Sequence, residues 1–289
     1  MLLVVEVGIL AVLLQEMWCL VVSNGEILAA LAKVLKWIES GVDIYEMFTH
    51  FKGNFKGQSY DGDSTPSMYF SNSPSCSGFS DFISTTLLEW IANGYISMVG
   101  RVGECDPPFF GFTHYYRAFD ERFLNLWIKD YPFSLDTLKE VPRLVEKNSH
   151  MLTLDDKSGY DHISLHPHNR KYFGIQFGGW YMVYNTLPFG FKASAYVYHT
   201  TWMVPISYCR SLGIPSLLYI DDRLVCEIKD KKENKGSLDC YCNAIKSIYV
   251  MCRVLASLGY LLNLLKCGLK PVKCVKFWGC YWILKNWRL

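Results

Sequence analysis

The chain has 289 residues, of which 51% are hydrophobic, 16% aromatic and 19% charged. This composition is sufficient to bury a large core and excludes intrinsic disorder over the whole chain. The formal net charge of +2 excludes a strongly basic or strongly acidic protein. The charges are unevenly distributed, since residues 229–289 hold 12 basic and 3 acidic side chains. This segment is either a phosphate-facing surface or a set of solvated loops.

The segment at residues 2–22 is strongly apolar and about as long as a membrane span. It contains Glu6, Gln15 and Glu16, and no small-residue cleavage site follows, so it does not match a signal peptide. We expect a buried or partner-facing helix, with membrane association as the lesser alternative. The eleven cysteines include no CxxC pair, which favours free thiols in an intracellular compartment, the cytoplasm or the nucleus.

The first third of the chain predicts helices around a long loop. Residues 27–39 have apolar side chains at helical spacing and are followed by Ser40-Gly41, which predicts an amphipathic helix. Residues 54–82 are rich in Ser, Gly, Asp and Pro, which predicts a loop and a nearby domain boundary. Further short helices are predicted at residues 84–93, 120–127 and 134–146, the last with Ser134 as its N-cap.

The rest of the chain predicts strands mixed with helices. The predicted strands are residues 151–156, 171–177, 180–186 and 216–220, and Gly178-Gly179 forms a tight turn between the second and the third. The predicted helices are residues 193–211 and 238–258. This alternation indicates a mixed α+β fold.

Two pairs of adjacent aspartates follow predicted strands. Asp221-Asp222 ends an apolar run, and Asp155-Asp156 ends another about 65 residues earlier. Successive side chains of a strand point to opposite faces, so both acids of a pair can serve one site only where the backbone turns. Converging carboxylates suit Mg²⁺, and two such ions promote nucleotidyl transfer. On the dipeptides alone, ordinary turn chemistry is the alternative.

Several short sequences in order resemble the motifs of reverse transcriptases. They are LDDKSGYDHI at 154–163, LPFGFKAS at 187–194, YIDD at 219–222, and LGYLLNLLKCGLKP with VKFWG at 258–279. The resemblance is strongest to retrotransposons of the tyrosine-recombinase, DIRS-like type. It implies an α+β right-hand polymerase palm with partial fingers, an antiparallel sheet flanked by helices. It assigns residues 101–289 to this domain and leaves 1–100 as an N-terminal helical and loop region with an apolar start and a Ser/Gly/Pro-rich linker.

The resemblance implies RNA-directed DNA synthesis with two Mg²⁺ ions, for which Mn²⁺ is a possible substitute. Asp155, Asp221 and Asp222 match the catalytic, metal-binding aspartates. Asp156 stands where the family usually has an apolar residue, and we include it among the candidate metal ligands beside them. The implied partners are an RNA or DNA template with primer, deoxynucleoside triphosphates and other domains of the retroelement.

Further residues match positions that contact nucleotide or nucleic acid. Tyr160 matches an aromatic that lies under the sugar and excludes a 2′-hydroxyl, and Gly190 allows close backbone approach. The nucleotide-binding candidates are Tyr160, Phe189, Gly190, Lys192, Arg117 and Lys266. The primer and template candidates are Tyr219, Ile220, Phe277, Trp278 and Gly279. Core packing is the alternative for the aromatic residues.

The chain departs from the family pattern upstream of Asp120. The stretch FFGFTHYYRAF holds Arg117 as its only cation, where the family has a longer strand and a Lys-Pro-Arg turn. No thumb or ribonuclease H segment follows residue 289, which suggests a truncated or partly degenerate domain. The alternative function is an inactive remnant that acts at most as a nucleic-acid-binding palm module. A zinc site at His162, His166 and His168 is a lesser reading than a polar surface loop.

Overall fold

The computed structural model describes residues 25–68, 70–72, 74–104, 112–113, 121–145, 149–228, 237–277 and 280–283. These residues form two compact units. The first unit comprises Lys33–Pro132 and Tyr160–Tyr198, and the second comprises Phe133–Gly159 and His199–Leu289 together with residues 25–32. The predicted helix at residues 2–22 lies outside the described part of the chain. Within the described part, no helix has the length and apolarity that a membrane crossing requires.

The elements are numbered in chain order. The α-helices of the described residues are α1 (Gly25–Ser40), α2 (Ser80–Ala92), α3 (Val141–Leu144), α4 (Ser194–Ser211) and α5 (Ser237–Ser257). The strands are β1 (Phe51–Phe55), β2 (Gln58–Gly62), β3 (Ile96–Arg101), β4 (Phe112–Thr113), β5 (Met151–Asp155), β6 (Gly174–Phe177), β7 (Trp180–Tyr184), β8 (Ser216–Tyr219), β9 (Asp222–Cys226), β10 (Gly268–Val272), β11 (Cys274–Phe277) and β12 (Cys280–Ile283).

The first unit contains a four-stranded sheet of order β3-β7-β6-β4 and the separate hairpin β1/β2. Gly178 and Gly179 both have positive φ in the turn between β6 and β7, which confirms the predicted tight turn. Lys56 and Gly57 have φ of +49° and +84° in the β1/β2 turn. The predicted loop over residues 54–82 is therefore wrong where this hairpin forms. Its strand β1 alternates between half-buried and exposed residues, but the Gly, Asn, Ser and Asp residues of the hairpin are also typical of loops.

The second unit contains an antiparallel four-stranded sheet of order β10-β5-β9-β8. One face of this sheet packs on a buried apolar cluster that includes Met151, Leu224 and Cys226 together with Val275 and Phe277. Because side chains alternate along a strand, Asp155 and Asp222 share the face of Met151 and Leu224. The strand order and this alternation therefore place two of the predicted catalytic acids on one face of the sheet.

The remaining comparisons with the sequence concern boundaries. Helices α1, α2, α4 and α5 confirm four predicted helices within a few residues. The predicted helices at residues 120–127 and 134–146 are largely wrong. The first is a 3₁₀ turn at Leu124–Trp127, and the second is reduced to a 3₁₀ turn and the four residues of α3. The pairing of β3 with β7 places residues on both sides of position 100 in the first compact unit, and the division at residue 100 stays a prediction.

Candidate active site

The β8/β9 hairpin carries the acidic pair at its turn. Tyr219 pairs with Asp222, so Ile220 and Asp221 form a two-residue connection. Ile220 has a φ of +52°, a conformation that costs a β-branched residue about 1–2 kcal/mol. The backbone thus bends between the two acids, as the sequence analysis required. Asp221 and Asp222 consequently lie at the same end of the sheet.

Asp155 ends β5 opposite this hairpin. The antiparallel register pairs Asp155 with Asp222, and directly opposed residues have Cβ atoms about 4.5–5.5 Å apart. Two contacts from the segment after α5 hold the Asp155 backbone: the Asn263 amide donates to its carbonyl at 2.9 Å, and its own amide donates to Cys267 Sγ at 3.3 Å. Asp155 and the hairpin acids therefore meet at one end of the β5/β9 pair.

The negative charge of the carboxylates at this end is only partly compensated. Burial raises the pKa of Asp155 above its ordinary value; Lys266 opposes this effect, and the carboxylates of Asp221 and Asp156 add to it. Burial, Asp221 and Asp155 likewise raise the pKa of Asp222. Lys266 Nζ lies 3.7 Å from Asp155 Oδ1, too far for a good hydrogen bond. The arrangement favours a bound cation, which relieves such repulsion.

The fit to a metal ion lies in backbone position and charge. Among the described residues, no group of three or more His, Cys, Asp or Glu side chains is arranged to hold a metal as the side chains stand, and this includes the histidines at 162–168. Nevertheless, Asp155, Asp221 and Asp222 supply the hard oxygen ligands that divalent cations take. Ligation would require rotation of these side chains. The residues present therefore fit a divalent cation in type and place.

Asp156 has a different role from the metal ligation that the sequence suggested. Arg223 Nη1 donates to its Oδ1 at 2.6 Å and Arg223 Nη2 to its Oδ2 at 2.5 Å, and both side chains are fully buried. Because both carboxylate oxygens bind the guanidinium and lie on the face opposite Asp155, Asp156 is unsuited to share a metal. The sequence analysis missed Arg223. Its signal was a cation placed directly after the acidic pair inside an apolar strand.

The first unit holds most of the predicted nucleotide-binding residues. The Tyr160 ring lies 4.7 Å from that of Phe189 and 5.1 Å from that of Tyr198, measured between centroids. Phe189 is 59% exposed and Gly190 has a φ of +93°. The Gly190 conformation excludes most other residues at this turn. The structure thus brings Tyr160 and the Pro-Phe-Gly turn together.

Lys192 contacts protein groups rather than pointing freely into solvent. Its Nζ donates to the Ile128 carbonyl at 2.8 Å and lies 2.8 Å from Asp130. Asn125 bridges the same turn, donating to the Gly190 carbonyl and accepting from the Lys192 amide, each at 2.8 Å. Sequence analysis missed Asn125 because its partners lie 65 and 67 residues away. The Lys192 side chain would have to leave these contacts to meet a phosphate.

The remaining candidates are only partly described. Phe277 is 4% exposed within the apolar cluster of the second unit, and Tyr219 packs against that cluster. Core packing therefore accounts for the Phe277 ring. Arg117, Trp278 and the side-chain-free Gly279 lie outside the described residues.

An antiparallel sheet with an aspartate at one strand end, opposite a hairpin turn that carries two more, defines the palm of a nucleic-acid polymerase. The family model described as reverse transcriptase (RNA-dependent DNA polymerase) matches residues 109–282. The chain belongs to this family and contains an RNA-directed DNA polymerase domain. Members of the family generally use divalent metal ions. No curated protein matches the chain.

Solved structures support the fold. A foamy virus protease-reverse transcriptase in complex with double-stranded DNA matches with a TM-score of 0.57 and 14% identity, over 91% of this chain and 44% of that one. The native prototype foamy virus protease-reverse transcriptase matches with a TM-score of 0.53 and 14% identity, over 74% of this chain and 26% of that one. The chain thus spans less than half the length of either protein. The predicted polymerase fold is confirmed.

Proposed function

We propose that this chain catalyses template-directed DNA synthesis from deoxynucleoside triphosphates, with RNA as the preferred template. The observation that carries the proposal is the register that pairs Asp155 with Asp222 beside the Asp221 turn. We assign the chain to a retrotransposon of the tyrosine-recombinase, DIRS-like type, on the strength of its LPFG and YIDD motifs. Free thiols at Cys209, Cys242, Cys252, Cys267 and Cys274 support an intracellular site of action.

Asp155, Asp221 and Asp222 are the proposed ligands of two Mg²⁺ ions. When bound, such ions would supply activation of the primer 3′-hydroxyl and neutralisation of the pyrophosphate. The carboxylates contribute by orienting this charge at the end of a rigid strand pair. Lys266 is 68% exposed and stands beside Asp155, where it can act as a countercharge to a polyphosphate.

The proposed nucleotide contacts come from the first unit. Tyr160, held by Phe189 and Tyr198, is the proposed barrier to a 2′-hydroxyl, because a rigid ring excludes that oxygen sterically. The exposed ring of Phe189 can stack on a base. Gly190 permits close backbone approach at the same turn.

A second candidate function is a nucleic-acid-binding palm without polymerase activity. One observation favours it: the described acidic side chains do not converge on a metal position as they stand. The two candidates share the fold and differ only in whether the carboxylates can rotate to bind a metal productively. An activity measurement on the whole chain separates them.

The test is primer extension on an RNA template with Mg²⁺ and then with Mn²⁺, with binding of the primer-template measured on the same samples. The Asp221→Asn/Asp222→Asn variant is the control, because it keeps the size and shape of both side chains. We expect extension by the wild-type chain and none by the variant, with binding retained in both. Binding without extension by a folded wild-type chain would establish the second candidate instead.

A further inference from the structure

We propose that Arg223 and Asp156 are positioning residues, which form a buried fork between strands that fixes the ends of β5 and β9 and thereby the catalytic carboxylates. The inference rests on the proposed function, since it concerns the same three aspartates. Neither side chain faces the proposed metal site. Both act through the backbone of their neighbours.

The sequence order couples the fork to the site. Asp156 directly follows Asp155, Arg223 directly follows Asp222, and Asp155 pairs with Asp222 across the two strands. Alternation along the strands puts the carboxylates on one face and the fork on the other. Each member of the fork is therefore one peptide unit from a catalytic acid. A shift of the fork would move both carboxylates.

The guanidinium of Arg223 is fixed on two sides. Its central carbon lies 3.5 Å from the centre of the Trp202 ring, on α4, while both its terminal nitrogens bind Asp156. The Trp202 ring lies 3.6 Å from that of Tyr260, near the start of the chain segment that follows α5. A planar guanidinium held by a carboxylate and an aromatic face has few alternative positions.

The Tyr260 segment also contacts the catalytic strand. Residues 156 and 262 form an isolated bridge, the Lys157 amide donates to the Leu261 carbonyl at 3.0 Å, and the Asn263 amide donates to the Asp155 carbonyl at 2.9 Å. The fork thus joins the ends of β5 and β9 to α4 and to the segment that carries Lys266. These are the elements whose relative placement sets the geometry of the carboxylate end.

Stability alone does not require a charged pair at this place. Replacing a buried ion pair by apolar side chains of similar size is often neutral or stabilising. Apolar burial is non-directional, however, whereas a bidentate arginine–carboxylate pair fixes both distance and angle. A misplacement of about 1 Å at a catalytic group can cost about 100-fold in rate. We therefore infer that the pair aligns the catalytic carboxylates. Its replacement by apolar side chains should lower activity without lowering stability.

The test compares three full-length variants with the wild type. Asp156→Leu/Arg223→Met removes the fork and both charges, and Arg223→Lys keeps the charge but cannot bind both oxygens while lying flat on the ring. Glu227→Gln is the matched control, because Glu227 is buried at the other end of the same strand pair. We would measure melting temperature, kcat and KM for primer extension, and Mn²⁺ affinity by electron paramagnetic resonance without substrates.

We expect the double variant to melt at or above the wild-type temperature and yet to lose about 10- to 100-fold in kcat. Its Mn²⁺ affinity should fall, while KM for the nucleotide stays close to wild type. Arg223→Lys should lose kcat in the same direction, and Glu227→Gln should keep it. If the double variant does not fold, the loss of kcat in Arg223→Lys carries the proposal.

The proposal would be overturned if a folded fork variant kept the wild-type kcat and the wild-type Mn²⁺ affinity. Arg223 and Asp156 would then only neutralise each other's charge. An equal loss of kcat in Glu227→Gln would also overturn it, because any loosening of the strand pair would then suffice. A wild-type chain that binds Mn²⁺ but does not extend a primer would defeat the proposed function alone, and the Mn²⁺ comparison would still decide the role of the fork. A wild-type chain that does neither would overturn both.

Discussion

The β5/β9 strand pair carries acidic side chains at both ends, and the hydrogen-bond partners of these acids differ between the two ends. At the far end, buried Glu227 accepts hydrogen bonds from the His150 amide at 3.1 Å and from Ser149 Oγ at 3.4 Å. At the carboxylate end, no described residue donates a hydrogen bond to the buried Oδ1 of Asp155, and Lys266 remains 3.7 Å away.

Backbone conformation and carboxylate pKa values also distinguish the carboxylate end of the strand pair. The carboxylate end contains Ile220 at positive φ, and the pKa values of Asp155 and Asp222 are raised there by burial and by neighbouring carboxylates. Buried polar groups ordinarily have hydrogen-bond partners. A strained backbone conformation such as the positive φ of Ile220 persists only where the surrounding structure imposes it. His150 Nδ1 at the far end also has no hydrogen-bond partner among the described residues, so the contrast concerns the two acids. It indicates that Glu227 stabilises the fold, while the Asp155 carboxylate is kept unsatisfied for a ligand.

Catalysis should depend on one end of the strand pair only. We expect Asp155→Asn to lower kcat for primer extension by at least about 100-fold, because the amide cannot replace a charged ligand. Glu227→Gln should leave kcat near wild type although it changes a buried acid that directly follows the neighbouring strand. Single-turnover extension by both variants, on samples with matched circular dichroism spectra, measures this difference. Similar losses in both would remove the functional distinction between the ends.

Stability should respond most to the ion pair beneath the carboxylates. Asp156→Ala leaves the Arg223 charge buried without its partner, and we expect the free energy of unfolding to fall by about 3–5 kcal/mol. Glu227→Ala breaks hydrogen bonds between groups that can be hydrated more easily. We therefore expect its free energy of unfolding to fall by only about 1–3 kcal/mol. Urea denaturation of both variants tests the order. A larger loss for Glu227→Ala would show that the far end is the main stabilising junction.

Sequence reasoning recovered the features that depend on neighbouring residues. The periodic apolar spacing in 27–39 predicted a helix. The Asp221-Asp222 pair after an apolar run predicted that the backbone turns between the two acids if both serve one site. The catalytic assignment came from motif order, and the register of Asp155 with Asp222 now supports it. These signals are local, or they are repeated throughout a family.

The missed features depend on pairing across long distances in the chain. Arg223 and Asp156 are 67 residues apart, and neither residue type predicts burial by itself. The strand β9 escapes prediction because the acids interrupt the apolar run, although apolar residues resume directly after Arg223. The β1/β2 hairpin was missed because its polar composition is also typical of loops. In each case tertiary context overrides local preference.

Relieving the charge at the carboxylate end should stabilise the metal-free fold. The pKa of Asp222 in the fold lies above its ordinary value of 3.8, so the folded chain holds the proton more tightly than the unfolded chain. Stability from this group is therefore lost as the pH rises through the raised pKa. We expect Asp222→Asn to raise the melting temperature at pH 7 by several degrees at most, since solvent screens a half-buried group.

This gain should shrink as the pH falls towards 3.8, because wild-type Asp222 then becomes neutral as well. Addition of Mn²⁺ at pH 7 should stabilise the wild type more than the variant, because only the wild type retains the full set of carboxylates. Differential scanning fluorimetry across pH and Mn²⁺ concentration gives both results. A variant that melts below the wild type at pH 7 without metal would contradict the proposed repulsion.

The smallest expected effect concerns the backbone of the hairpin turn. Ile220→Asn introduces a residue that tolerates positive φ, and we expect a gain of about 1 kcal/mol, or about 2–4 °C in melting temperature. Lys56→Asn is the matched control, because Lys56 has a similar φ in the β1/β2 turn but no β-branch, so its gain should be smaller. Since Ile220 is a proposed primer contact, the more stable Ile220→Asn variant should extend primers more slowly. Equal gains in the two turns would mean that the strain is a general property of these hairpins rather than a feature of the carboxylate end.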